Sequence, residues 1–200
     1  MPASLKSDLA YIVDLESSGL NSYRSEILTL SISACNKHGV IDEVELSRRP
    51  TTNYWEEDAE KIHGISRFAA SRFPEDFNDR LTQFLEKHGQ GVMICHALKM
   101  SSYFDATILL NHFDKQDKRH DFYKYFRQSQ STITWLKYLN RIGVELNHEF
   151  NLDALCKKYR IELIHHNAKS DREACQKLFF MILSRLEPED GNGLSVFCKQ

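Results

Sequence analysis

Asp14 and Glu16 stand two residues apart at the end of a short apolar run, Leu9-Ala10-Tyr11-Ile12-Val13. In an extended chain residues i and i+2 point to the same face, so both carboxylates would share one small volume. Like charges so placed repel and raise each other's pKa unless a cation sits between them. A hard divalent ion that prefers oxygen ligands suits that position. Asp-x-Glu is common by chance in solvated turns, so its meaning depends on what the rest of the chain brings to it. Thiolate chemistry has no comparable signal. The five cysteines (Cys35, Cys95, Cys156, Cys175 and Cys198) include no Cys-x-x-Cys pair. Their surroundings suit small buried side chains in a reducing compartment.

The elements that must position these carboxylates follow from pattern. The apolar run before Asp14 suits a buried central strand, and Ser17-Ser18-Gly19 is a turn signal. Ile27 to Ala34 alternates apolar and small polar residues as a second strand. His38-Gly39 marks a hairpin turn, and Val40 to Leu46 a third strand. Glu56 to Ile62 reads as a short helix closed by His63-Gly64. From Pro74 to His88, Phe77, Leu81, Phe84 and Leu85 form one face of an amphipathic helix, with Gly89 after its end. Val92 to Cys95 is another buried strand, Tyr103 to Phe113 a helix, and Thr132 to Trp135 a further short strand. Asn151 to Tyr159 and Asp171 to Leu186 are helices. Asp114 to Ser131 mixes charges and aromatics without clear period. The order predicts one mixed-sheet α/β domain, with a core of about residues 9–186 and a tail over 187–200.

Tyr11-Ile12-Val13-Asp14-Leu15-Glu16-Ser17-Ser18-Gly19-Leu20 resembles the first motif of the DEDD exonucleases, the DnaQ-like family. His63-Gly64-Ile65 resembles a segment that family often carries before its second motif. Asn151-Leu152-Asp153-Ala154-Leu155-Cys156 leads into His166-Asn167-Ala168-Lys169-Ser170-Asp171, which resembles the third motif of the DEDDh branch, His-x-Ala-x-x-Asp. The tyrosine-bearing branch would place Tyr where this chain has Asn167. The second motif fits less well. Ile94-Cys95-His96-Ala97 ends a strand and Phe104-Asp105 opens a helix, but Ala97 replaces the usual Asn and the loop Leu98 to Tyr103 is longer than usual. Asp105 is chosen over Asp114 and Asp117, which fall at or beyond that helix's end.

The resemblance implies an RNase H-like fold, a mixed sheet flanked by helices, and a metal-dependent 3′→5′ exonuclease. It would release nucleoside monophosphates from the free 3′ end of single-stranded nucleic acid, DNA before RNA. Asp14, Glu16, Asp105 and Asp171 would hold two ions, Mg²⁺ or Mn²⁺, about 3.5–4 Å apart. His166 would be the general base, and an imidazole with its ordinary pKa near ~6.5 suits that task. Leu20, His63 and Phe104 would wedge or stack the terminal nucleotides, and backbone amides from Leu15 through Ser17 to Ser18 would meet the 3′-hydroxyl. The alternatives are the same chemistry as a proofreading subunit with a polymerase partner, or a catalytically silent nucleic-acid-binding module.

A net charge of −2 over 200 residues means no global attraction to nucleic acid or an anionic membrane, so any basic footprint is local. Lys115, Lys118, Arg119, Lys124 and Arg127 are interleaved with Phe122, Tyr123, Tyr125 and Phe126, a mixture that suits either single-strand binding or a solvated helix with a packed aromatic face. No secretory signal or membrane-spanning run is visible, which places the chain in the cytoplasm, or in the nucleus of a nucleated cell.

Overall fold

Strand β1 (Ala10–Ser17) has β2 (Ile27–Asn36) antiparallel on one side and β4 (Gly91–Cys95) parallel on the other. The computed structural model describes residues 9–96, 104–144, 149–164 and 166–186. Among them, β3 (Gly39–Ser47) and β5 (Phe126–Ser131) complete a five-stranded mixed sheet in the order β3-β2-β1-β4-β5. The helices are α1 (Glu57–His63), α2 (Arg67–Ala70), α3 (Phe77–His88), α4 (Phe104–Asp114), α5 (Arg119–Tyr125), α6 (Thr132–Arg141), α7 (Leu152–Tyr159) and α8 (Ala168–Leu186).

Alternation along β1 divides the core in two. Tyr11, Val13 and Leu15 enter a cluster with α3, α4 and α5 on one face of the sheet. Ala10 and Ile12 enter a cluster with α6, α7 and α8 on the other. Period 2 then puts Asp14 and Glu16 on the α8 side, past the end of the apolar packing. Strand β4 pairs with β1 only as far as Ile12. Beyond that point β1 has β2 on one flank and, among the described residues, no strand on the other, and its pairing with β2 shifts by a bulge at Glu16/Ser17. Bulges of this kind re-aim side chains at strand ends.

Two segments differ from the pattern reading. The strand expected over Thr132 to Trp135 is the start of α6, whose N-cap Ser131 accepts from the amide of Ile133. The strand is the polar stretch just before it, β5. An edge strand with one neighbour does not need the apolar run that marks a buried one. Helix α3 begins at Phe77 rather than at Pro74, and α8 begins at Ala168, before Asp171. The tail over 187–200 and the loop Leu98 to Tyr103 lie outside the described residues, as does Cys198. Cys35, Cys95, Cys156 and Cys175 are free and buried, as expected. Among the described residues no helix is long and apolar enough to cross a membrane.

Candidate active site

Asp14 and Glu16 leave the same face of β1, and Asp171 arrives from the first turn of α8. Each offers a carboxylate oxygen, and the three oxygens lie within 4.8 Å of one another. Helix α8 is aimed by its own entry. Asn167 accepts from the amide of Ser170 at 3.1 Å, and its carbonyl accepts from the amide of Asp171 at 2.9 Å.

Asp105 approaches from α4, which packs on the opposite face of the sheet. It is buried in the first turn of that helix. It stands outside the tight trio but within its field. Burial, then the charges of Asp105, Asp171 and Glu16, push the Asp14 carboxyl well above the usual carboxylate range. Burial and the charges of Asp171 and Asp105 raise Glu16 to about 8. Burial and Asp171 raise Asp105 to about 7. Such mutual repulsion is what a divalent cation relieves, and an all-oxygen donor set suits Mg²⁺ or Mn²⁺. Asp114 and Asp117 are exposed and take no part.

A cleft of about 270 Å³ opens beside the carboxylates, with Glu16, His63, His166 and Ile65 among its walls. His166 directly precedes Asn167, is exposed, and has a left-handed backbone at φ 58°. His63 ends α1, followed by Gly64 in the left-handed conformation at φ 72°. Its Nδ1 accepts from the amide of Ile65 at 3.0 Å, so its Nε2 carries the hydrogen and donates to the carbonyl of Ser17 at 3.1 Å. Burial holds the His63 pKa below the ordinary imidazole value, with His166 adding to the effect. The two histidines therefore share one wall.

Leu20 is 54% exposed on the turn after β1, and its amide donates to Glu56 Oε2 at 2.8 Å. A side chain at Gly19 would meet Tyr54 and Glu56 at 2.8 and 2.9 Å, so those side chains would have to shift from this brace to admit one. Phe104 is half-buried against the α4 cluster. Leu15 is buried. The Ser18 amide is committed to the carbonyl of Glu26 at 2.9 Å, so it is not free for a ligand. The Ser17 hydroxyl donates to the carbonyl of Gly19 at 2.7 Å.

The pattern reading missed Arg172. It follows Asp171 and is fully buried. Its Nε donates to Ser31 Oγ at 3.1 Å and its Nη1 to Gln176 Oε1 at 3.0 Å. Its Nη2 forms an ion pair with Glu43 Oε2 at 2.9 Å. Ser33 Oγ donates to the same Gln176 oxygen. The small polar half of β2 thus faces a polar stripe of α8 instead of solvent. The signal was present: Arg172 falls in helical phase with the buried Cys175, Phe179 and Ile182.

His96 is also structural. Its Nδ1 accepts from Thr132 Oγ1 at 2.7 Å and its Nε2 donates to the carbonyl of Phe150 at 3.1 Å, tying the end of β4 to α6.

The fold is an α/β one, a mixed five-stranded sheet flanked by helices, and solved nuclease structures of RNase H-like fold share it at low sequence identity. The nuclease domain of 3′hExo, described as a DEDDh family member bound to rAMP, superposes with a TM-score of 0.66 over 91% of this chain and 94% of that one, at 16% identity. Cell-death related nuclease 4 (CRN-4) gives 0.67 at 15% identity, over 88% of this chain and 64% of that one. E. coli exonuclease I in complex with a dT13 oligonucleotide gives 0.75 at 17% identity, over 90% of this chain but 42% of that one. The chain thus spans under half the length of exonuclease I. No family sequence model and no curated protein sequence matches the chain.

Proposed function

We propose that this chain is a divalent-metal-dependent 3′→5′ exonuclease acting on single-stranded nucleic acid. The observation that carries the reading is the trio Asp14, Glu16 and Asp171, within 4.8 Å of one another beside a cleft walled by His63 and His166. The nuclease nature of the structural neighbours supports it, as does the oligonucleotide bound to one of them.

Asp14, Glu16 and Asp171 would hold one Mg²⁺ or Mn²⁺, and Asp14 with Asp105 a second. Such ions, when bound, stabilise charge on the attacking and leaving oxygens of a phosphodiester. His166 takes a proton from water as that water attacks the terminal phosphorus. The bond from phosphorus to the 3′ oxygen of the penultimate nucleotide breaks, and a nucleoside 5′-monophosphate leaves. Leu20, His63 and Phe104 grip the terminal nucleotides. The backbone of β1 from Leu15 to Ser17 receives the 3′-hydroxyl.

Hydrolysis in ¹⁸O-water tests the chemistry. The reading predicts a 5′-monophosphate product carrying one ¹⁸O, formed with Mg²⁺ or Mn²⁺ and absent in EDTA. Nucleoside 3′-monophosphates, or the same product in EDTA, would overturn it.

A further inference from the structure

A second groove, of about 290 Å³, runs between α4 and β5. Ala106, Leu110 and Phe126 are part of its floor, and Tyr123 and Arg127 stand at its lip. Tyr123 is 50% exposed. Among the described residues no carboxylate lines the groove, in a chain whose net charge is −2. Nearby cations are engaged: Arg119 pairs with Asp114, and Lys124 lies over the Tyr125 ring. Arg127 is exposed and has no ion-pair partner among the described residues.

On α4 the groove starts one residue after Asp105. Asp105 is in the first turn of α4, and the next residue, Ala106, already lines the groove. Strand β5 runs parallel to β4, with Ser131 beside Cys95 at the site end and Phe126 beside Gly91 at the far end. From Ser131 back to Arg127 is about 13 Å of strand. That length matches roughly three or four stacked nucleotides at ~3.4 Å each.

We propose that this groove is the track along which single-stranded nucleic acid reaches the site, with a base on the Tyr123 ring and a phosphate at Arg127. It rests on the exonuclease reading for its direction. Stacking on an aromatic face tolerates every base, and a cation beside it follows the backbone without reading sequence. The uncharged Gln128 and Ser129 complete a wall that does not repel an anion.

Tyr123→Ala, Tyr123→Phe and Arg127→Ala test the track. Two readouts are needed: fluorescence anisotropy of a labelled strand of about ten nucleotides in EDTA, and kcat/KM on that strand relative to a dinucleotide with Mg²⁺. Tyr123→Ala and Arg127→Ala are each expected to weaken strand binding about tenfold and to lower the kcat/KM ratio similarly. Tyr123→Phe keeps both. Arg127→Ala lowers the slope of log affinity against log salt by about 0.7. Unchanged strand affinity in both alanine variants overturns the track and leaves the groove to another occupant, such as an extended peptide added to the β5 edge. Because binding is read in EDTA, variant-sensitive binding without hydrolysis would remove the exonuclease reading and keep the track.

Discussion

Asp14 on β1 and Asp171 on α8 come from opposite ends of the chain and hold their carboxylate oxygens within 4.8 Å of each other. Strand alternation points Asp14 toward the α8 face, and the Asn167 cap sets the first turn of α8 against it. The fold thus holds together charges that repel, a stability cost of the kind that functional sites carry.

Replacing Asp14 by Asn removes that repulsion. The raised carboxyls retain protons that the unfolded chain gives up above about pH 4, so in EDTA the cluster loses stability as pH rises from there through the folded values, about 7 for Asp105 and about 8 for Glu16. Asp14→Asn is expected to melt about 2–4 °C higher than the parent in EDTA at pH 8. With Mg²⁺ the parent gains stability and the variant gains much less. Nuclease activity of the variant falls on the order of a thousandfold. Melting curves with and without metal check the first two expectations.

His166→Ala separates proton transfer from metal binding. His166 is exposed and lies in the cleft wall. Loss of a general base costs about 10²–10⁴ in rate. The Mg²⁺-induced rise in melting temperature should survive in this variant, because no carboxylate is removed. Loss of the metal response would place His166 among the metal-holding groups instead.

Arg172→Met tests the buried network behind the site. The change strands Ser31 and the Gln176 oxygen without their charged donor and leaves Glu43 unpaired. Breaking a buried ion pair by removing one partner costs about 3–5 kcal/mol, lowered here because Glu43 is half exposed. Urea unfolding should give a loss of about 2–4 kcal/mol. A loss within ~0.5 kcal/mol, as for ordinary surface changes, would deny the network a structural role.

His112 sets an acid limit. It is buried, and burial together with the nearby Arg48 charge lowers its pKa to about 3. The folded protein therefore keeps it neutral where the unfolded chain binds a proton, so its contribution is present above about pH 6.5 and is lost as pH falls toward 3. Between pH 7 and pH 5 this amounts to about 2 kcal/mol. In His112→Gln the fall in stability over that interval should be shallower by that amount, as measured by urea unfolding at both pH values.

The Asp14–Glu16 pair was legible because one strand places both residues, and two-residue periodicity needs no tertiary knowledge. Asp171 and Asp105 were legible through motif spacing, and the sheet explains why the spacing works: α8 and α4 flank opposite faces at the end of β1. The region from Asp114 to Trp135 was not legible. Strand β5 is polar because it is an edge, and the apolar Ile133, Trp135 and Leu136 belong to α6. Over so short a window a helix face and a strand look alike. Arg172 shares helical phase with the buried Cys175, Phe179 and Ile182, but the partners on β2 and β3 that make its burial tolerable lie outside any local pattern.

The most direct test follows a short 5′-labelled DNA strand and its RNA counterpart with purified protein in Mg²⁺, Mn²⁺ or EDTA, beside Asp14→Asn and His166→Ala. The account predicts a ladder that shortens stepwise from the 3′ end, requires the metal, and fades in both variants. Internal cuts, shortening from the 5′ end, or a ladder that persists in Asp14→Asn would contradict it.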